Sequence, residues 1–140
     1  MDNMVNLFKK GGIFSTKGRM GRKKFMLSFI AMVICLLIIM FLVYVAAHSG
    51  SGMLVAIAII ALALPLVFFS ISIHVRRLHD LNKSGWWFIL IWMINSAGTR
   101  MDDFNPFDLI SILIFIYMCA KRGTVGENQY GNDPIEDKQA

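Results

Sequence analysis

Two stretches of this 140-residue chain, Phe25 to Ala47 and Leu54 to Val75, contain no lysine, arginine, aspartate or glutamate. Each exceeds the roughly 20 apolar residues that a helix needs to cross a hydrocarbon core of about 30 Å. A helix packed on a soluble core keeps a polar stripe at the 3.6-residue period, and neither run carries one. With 56% hydrophobic residues, the chain also lacks the polar surface to coat a soluble globule of this size. The prediction is an all-α, polytopic integral membrane protein. Val45-Ala46-Ala47 resembles a signal-peptide cleavage site, but the run before it is far longer than the usual apolar segment of such a peptide, so an uncleaved helix is expected.

Beyond the second run the apolar signal shortens. Trp86 to Ala97 ends in Asn95-Ser96, and Phe107 to Ala120 follows a polar link and Pro106, a residue suited to a helix's first turn. These two segments read as two further crossings or as one re-entrant hairpin. Charge placement favours four crossings with both termini cytoplasmic. Arg100 is then the one lysine or arginine outside, beside Asp102 and Asp103, as the positive-inside rule requires. The expected organisation is a basic cytoplasmic arm over 1–24 with an interfacial patch (Val5, Leu7, Phe8), a four-helix membrane domain over 25–120, and a cytoplasmic tail over 121–140. Pro65 is expected to free a backbone carbonyl within the second span, which Ser70 and Ser72 could help satisfy.

The net charge of +5 does not point to nucleic acid, because the cations cluster beside membrane exits: Lys17, Arg19, Arg22, Lys23 and Lys24 before the first span, and Arg76, Arg77 and Lys83 after the second. The most distinctive string is Arg76-Arg77-Leu78-His79-Asp80-Leu81-Asn82-Lys83-Ser84-Gly85-Trp86-Trp87. On a continued helix, Arg76 and Arg77 lie four and three residues before Asp80, so both can reach its carboxylate. Two guanidiniums against one carboxylate leave excess positive charge suited to a lipid phosphate, with Trp86 and Trp87 at headgroup level. A plainly structural hairpin anchor is the competing reading. In the tail, Gly123 suits a helix C-cap, and Tyr130 is expected to dock against the charged turn.

Catalytic and metal chemistry find little support. His74 and His79 are five residues apart, off a common helix face, and His48 belongs to the opposite side, so no metal site or cofactor is expected. No nucleophile elbow, phosphate loop or dinucleotide fingerprint is present, so no enzyme is expected. Asp108 is the one acid inside an apolar run; the first turn of its helix explains it as a dipole cap, with ion handling as the alternative. Cys35 and Cys119 read as small buried hydrophobes.

Three patches together resemble a family of bacterial inner-membrane proteins that carries a domain-of-unknown-function label, number 805. They are Phe14 to Phe25, with its Gly-Arg-x-x-Arg pattern; the Arg-Arg-Leu-His-Asp turn with its Lys-Ser-Gly-Trp-Trp continuation; and the tail from Gly126 through Pro134. Met26 departs from the second aromatic that the family often carries after Phe25. The resemblance implies a multi-pass protein of the bacterial inner membrane and no particular activity. Arg19, Arg22, Arg76, Arg77, His79, Asp80, Lys83, Trp86, Trp87 and Tyr130 then form one expected surface for anionic lipid headgroups or a membrane-protein partner, a second copy included. The alternative is a small oligomeric transporter or channel that uses Asp108.

Overall fold

In lipid, every backbone N–H and C=O must find its partner within its own segment, which leaves a long apolar stretch little choice but a helix. The two apolar runs form α1, Arg22–His48, and α2, Gly52–Asp80. The structure, a computed structural model, describes residues 12–48, 52–98 and 106–135. The apolar patch at Val5, Leu7 and Phe8 lies outside those residues, as do Arg100, Asp102 and Asp103 of the last link.

With 27 and 29 residues, α1 and α2 rise about 40 and 44 Å, longer than a ~30 Å hydrocarbon core. Both are long and apolar enough to cross a membrane. Of α1, just Phe25 and Met32 are buried, while Leu27, Leu37, Met40 and Phe41 point outward. A core helix of a water-soluble protein hides its apolar residues; this one presents them to its surroundings. Helix α2 continues through Pro65 and past Val75, so its last turn, Arg76 to Asp80, projects beyond the apolar run.

Two shorter helices complete the bundle, α3 over Trp87–Gly98 and α4 over Pro106–Ala120. Their 12 and 15 residues rise about 18 and 22 Å, short of a ~30 Å core. Four full crossings were expected; two helices meet the length requirement. Among the described residues there are four helices and no strand, apart from an isolated bridge between Asn128 and Gly131.

Helix α1 packs along α2, and α3 pairs with α4. The core sits near one end, where Phe25 of α1, Ile73 and Leu78 of α2 and Met118 of α4 are buried together with Met20 of the preceding segment. Phe25 and Phe29 meet Phe115 there, with centroids at 6.2 and 4.4 Å. This aromatic layer lies directly beneath the charged end and fixes where that end is assembled.

Candidate functional site: the basic end of the bundle

The charged turn takes its shape from the way α2 stops. Asn82 adopts a left-handed conformation, φ 57°, while the Lys83 amide donates to Leu78 O at 2.8 Å and the Asn82 amide to His79 O at 3.1 Å. This pair of bonds is a Schellman ending, in which asparagine serves where glycine is more common. Asp80, the last residue of α2, is buried. Gly85 then lets the chain pass close to α2, since a Cβ there would stand 3.0 Å from Val75 Cγ1.

The segment before α1 reaches the same place. Gly18 turns the chain at φ 91°, the Met20 amide donates to Arg76 O at 3.0 Å, and Ser72 Oγ donates to Ser15 O at 2.6 Å. Ser72 is therefore engaged outside its own helix, whereas the sequence suggested that it would serve the carbonyl freed by Pro65. These contacts bring Arg19 inward, with a side chain 1% exposed.

Asp80 is the hub. Arg77 donates to its Oδ2, and Arg19 Nε and Nη2 approach its Oδ1 at 3.2 and 3.1 Å. Arg77, completely buried, spends its other donors on Met118 O (2.7 Å), Met20 O (3.3 Å) and Lys121 O. Arg19 donates to Gly126 O (2.6 Å), Gly131 O (3.2 Å) and Thr124 O. Two arginines thus staple three separated stretches, 19–20, 77–80 and 118–131, through one carboxylate and a set of backbone oxygens. Burial pushes the Asp80 carboxyl up from its ordinary value, opposed by the charges of Arg77 and Arg19.

The pairing differs from the one expected from helix spacing. Arg76 is also buried, but it donates to Gly12 O at 3.1 Å, and its Nε has no hydrogen-bond partner. Arg19, distant in sequence, takes the place at Asp80 that spacing suggested for Arg76. Arg76, Arg77 and Arg19 are all enclosed.

The tail closes over this network. Thr124 donates from both N and Oγ1 to Asp80 O, at 2.9 and 2.8 Å. Asn128 Nδ2 donates to His79 O at 3.0 Å, while its Oδ1 accepts from the Tyr130 amide at 2.9 Å. Asp133, also buried, accepts from the Gly126 and Ile135 amides. Tyr130 stacks flat on His79, with centroids 3.9 Å apart and 4° between planes. Burial lowers the His79 imidazole from its ordinary value, against the opposing effect of its contact with Gly18 O. Gly123 serves by leaving space: a Cβ there would run into the Asp80 carboxylate. It was expected as a C-cap on conformational grounds, but it is not among the positive-φ glycines. Ser15, Ser72, Thr124, Asn128 and Asp133 were not singled out as site residues by sequence. Their one local signal is the short polar side chain that bonds a backbone amide two residues on, as Asn128 and Asp133 do.

The remaining candidates lie on the rim. Arg22 donates to Ala120 O at 3.1 Å and so covers the C-terminus of α4. Lys83 Nζ sits 5.8 Å from the Trp87 ring, and Trp86 is 77% exposed. Lys17, Lys23, Lys24, Lys121 and Arg122 are exposed at the same end, with Glu127 the one exposed acid among its described residues. Asp108 is elsewhere, in the first turn of α4, about 15 Å of helix rise from Met118. His74 and His79 contact separate carbonyls, Ser70 O and Gly18 O, and no group of three potential metal ligands gathers among the described residues.

A family described as "Protein of unknown function (DUF805)" matches residues 13–132. The chain is 29% identical over 138 residues to the uncharacterized protein YiiR of Escherichia coli K12, covering 90% of each. It is 36% identical over 64 residues to the inner membrane protein YhaI of the same organism, covering 46% of this chain and 42% of YhaI. A third relative, the inner membrane protein YhaH of that organism, is 36% identical over 63 residues, covering 45% of this chain and 40% of YhaH. No solved structure matches the chain.

Proposed function

This chain belongs to the DUF805 family, and we propose that it is a non-catalytic inner-membrane protein whose basic end faces the cytoplasm and holds anionic lipid headgroups. Relatives named as inner membrane proteins support the location. Segment 12–21, the turn after α2 and the tail meet at one end, which supports a common side for both termini, and the excess of exposed cations there favours the cytoplasm. The helix lengths favour two full spans, α1 and α2, with α3 and α4 as a shorter hairpin entering from the basic side.

One observation carries the lipid reading. The donors of the buried Arg19 and Arg77 are spent inside the protein, while Lys17, Lys23, Lys24, Lys83, Lys121 and Arg122 stay exposed around them. The network is a scaffold, and the rim is the binding surface. Each cation near an anionic leaflet contributes about 1 kcal/mol. Trp86 and Trp87 beside Lys83 suit the headgroup layer, where an aromatic ring with one polar edge is most at home.

The test is native mass spectrometry of protein extracted gently from membranes, comparing wild type with Lys17→Gln/Lys23→Gln/Lys24→Gln/Lys83→Gln. Retained phosphatidylglycerol or cardiolipin should drop in the variant, with the mass of the protein assembly unchanged. Equal retention of anionic lipid by both proteins would refute the proposal and turn attention to a protein partner.

A further inference from the structure

Beneath the basic end, a cavity of about 330 Å³ lies among all four helices, walled by Phe29 of α1, His74 of α2, Ile91 of α3, and Ser111, Ile112 and Phe115 of α4. Its volume is at the lower end of small-molecule sites, and its lining is the usual one, apolar and aromatic with a few polar groups. Ile112 is more than half exposed, so the wall reaches the outer face of the bundle.

Two polar groups border the space, and both have unused capacity. Ser111 Oγ is buried without a hydrogen-bond partner among the described residues, a costly condition when nothing fills the space beside it. His74 Nδ1 lies 2.7 Å from Ser70 O; a carbonyl can only accept, so Nδ1 carries the proton and Nε2 of the neutral ring is an acceptor.

We propose that this cavity binds a membrane-soluble phenol or quinol, a flat aromatic ring whose hydroxyl donates to His74 Nε2 and accepts from Ser111 Oγ. A hydroxyl, unlike a carbonyl, can donate to the one and accept from the other. A quinone carbonyl would satisfy Ser111 but would set its lone pairs against those of Nε2. The aromatic walls supply the preference for a ring. Phe29 and Phe115 are 4.4 Å apart and tilted by 43°, and Phe29 meets His74 nearly edge-on at 83°, so ring edges and faces are both presented.

The experiment uses the full chain in proteoliposomes, an alkylphenol carrying a diazirine as photolabel, and peptide mass spectrometry. Adducts should concentrate between Ser111 and Phe115. Unlabelled 4-hexylphenol should suppress them at least tenfold better than 4-hexylanisole, which lacks the hydroxyl proton. Ser111→Ala removes a hydroxyl that has no partner, so the protein should keep its thermal stability while labelling falls at least fivefold; His74→Phe should reduce labelling similarly. Adducts spread over outward residues such as Leu37 and Met40, equal competition by the anisole, or undiminished labelling of a folded Ser111→Ala protein would each overturn the assignment. This test is independent of the lysine rim, so either proposal can fail alone.

Discussion

Arg76 and Arg77 are neighbours of the same type at the same helix end, yet their removal should have very different consequences. Arg77 is completely buried and donates to Asp80, Met118 O, Met20 O and Lys121 O. Arg77→Ala leaves Asp80 with Arg19 alone and withdraws a donor from three enclosed carbonyls. Breaking a buried ion pair by deleting one partner costs about 3–5 kcal/mol, and ~4 kcal/mol is a reasonable expectation here. Among the described residues Arg76 makes one side-chain hydrogen bond, to Gly12 O, and carries an unpartnered Nε. Its loss should cost about 1 kcal/mol, because relief of that buried donor offsets part of the lost bond. The difference of ~3 kcal/mol exceeds a hundredfold in an equilibrium constant. At about 3–4 °C per kcal/mol for a chain of this size, Arg77→Ala should lower the melting temperature by about 12 °C or more, and Arg76→Ala by about 4 °C. Arg77→Lys should fall between them, since one ammonium keeps the charge near Asp80 but cannot span all four acceptors. The assay is the loss of the monodisperse gel-filtration peak after heating detergent-solubilised protein. Equal losses for Arg76→Ala and Arg77→Ala would refute the idea that Arg77 alone is the staple.

Two further outcomes follow from the same geometry. Gly123→Ala places a methyl group against the Asp80 carboxylate, so the tail should lift, and trypsin should cut after Lys121 or Arg122 several times faster than in wild type; an unchanged cleavage rate would mean that the close approach is not required. The His79 imidazole is lowered below its ordinary 6.5 by burial, so the undocked state takes up a proton first; docking strength should be complete above pH 6.5 and decline as pH falls through the lowered value. Hydrogen-exchange protection over residues 124–133, taken relative to the intrinsic exchange rate at each pH, should therefore fall between pH 7.5 and 5.5. His79→Gln should flatten that dependence, and Tyr130→Ala, but not Tyr130→Phe, should mimic the acid state by removing a stack that contributes about 0.5–1.5 kcal/mol.

Much of the architecture was open to reading from local chemistry. Phe25 to Ala47 and Leu54 to Val75 had one viable conformation in lipid, because an unbroken apolar run must satisfy its own backbone. Asn82 tolerates the left-handed turn that ends α2. The clustering of arginines and lysines at 17–24 and 76–83 also marked where the charged end would be assembled. What the chain could not disclose locally was the choice among equivalent partners. Helix spacing allowed both Arg76 and Arg77 to reach Asp80, and only the arrival of segment 12–20 and of the tail decided that Arg19 would pair there instead, because contacts between residues 61 apart obey no local period. The same distant packing enclosed Arg77, left the lysines on the rim, and brought His74 and Ser111 to one cavity. Periodicity and hydropathy are properties of neighbours, so they determined the helices; which charges are spent inside and which face outward is a property of the assembled bundle.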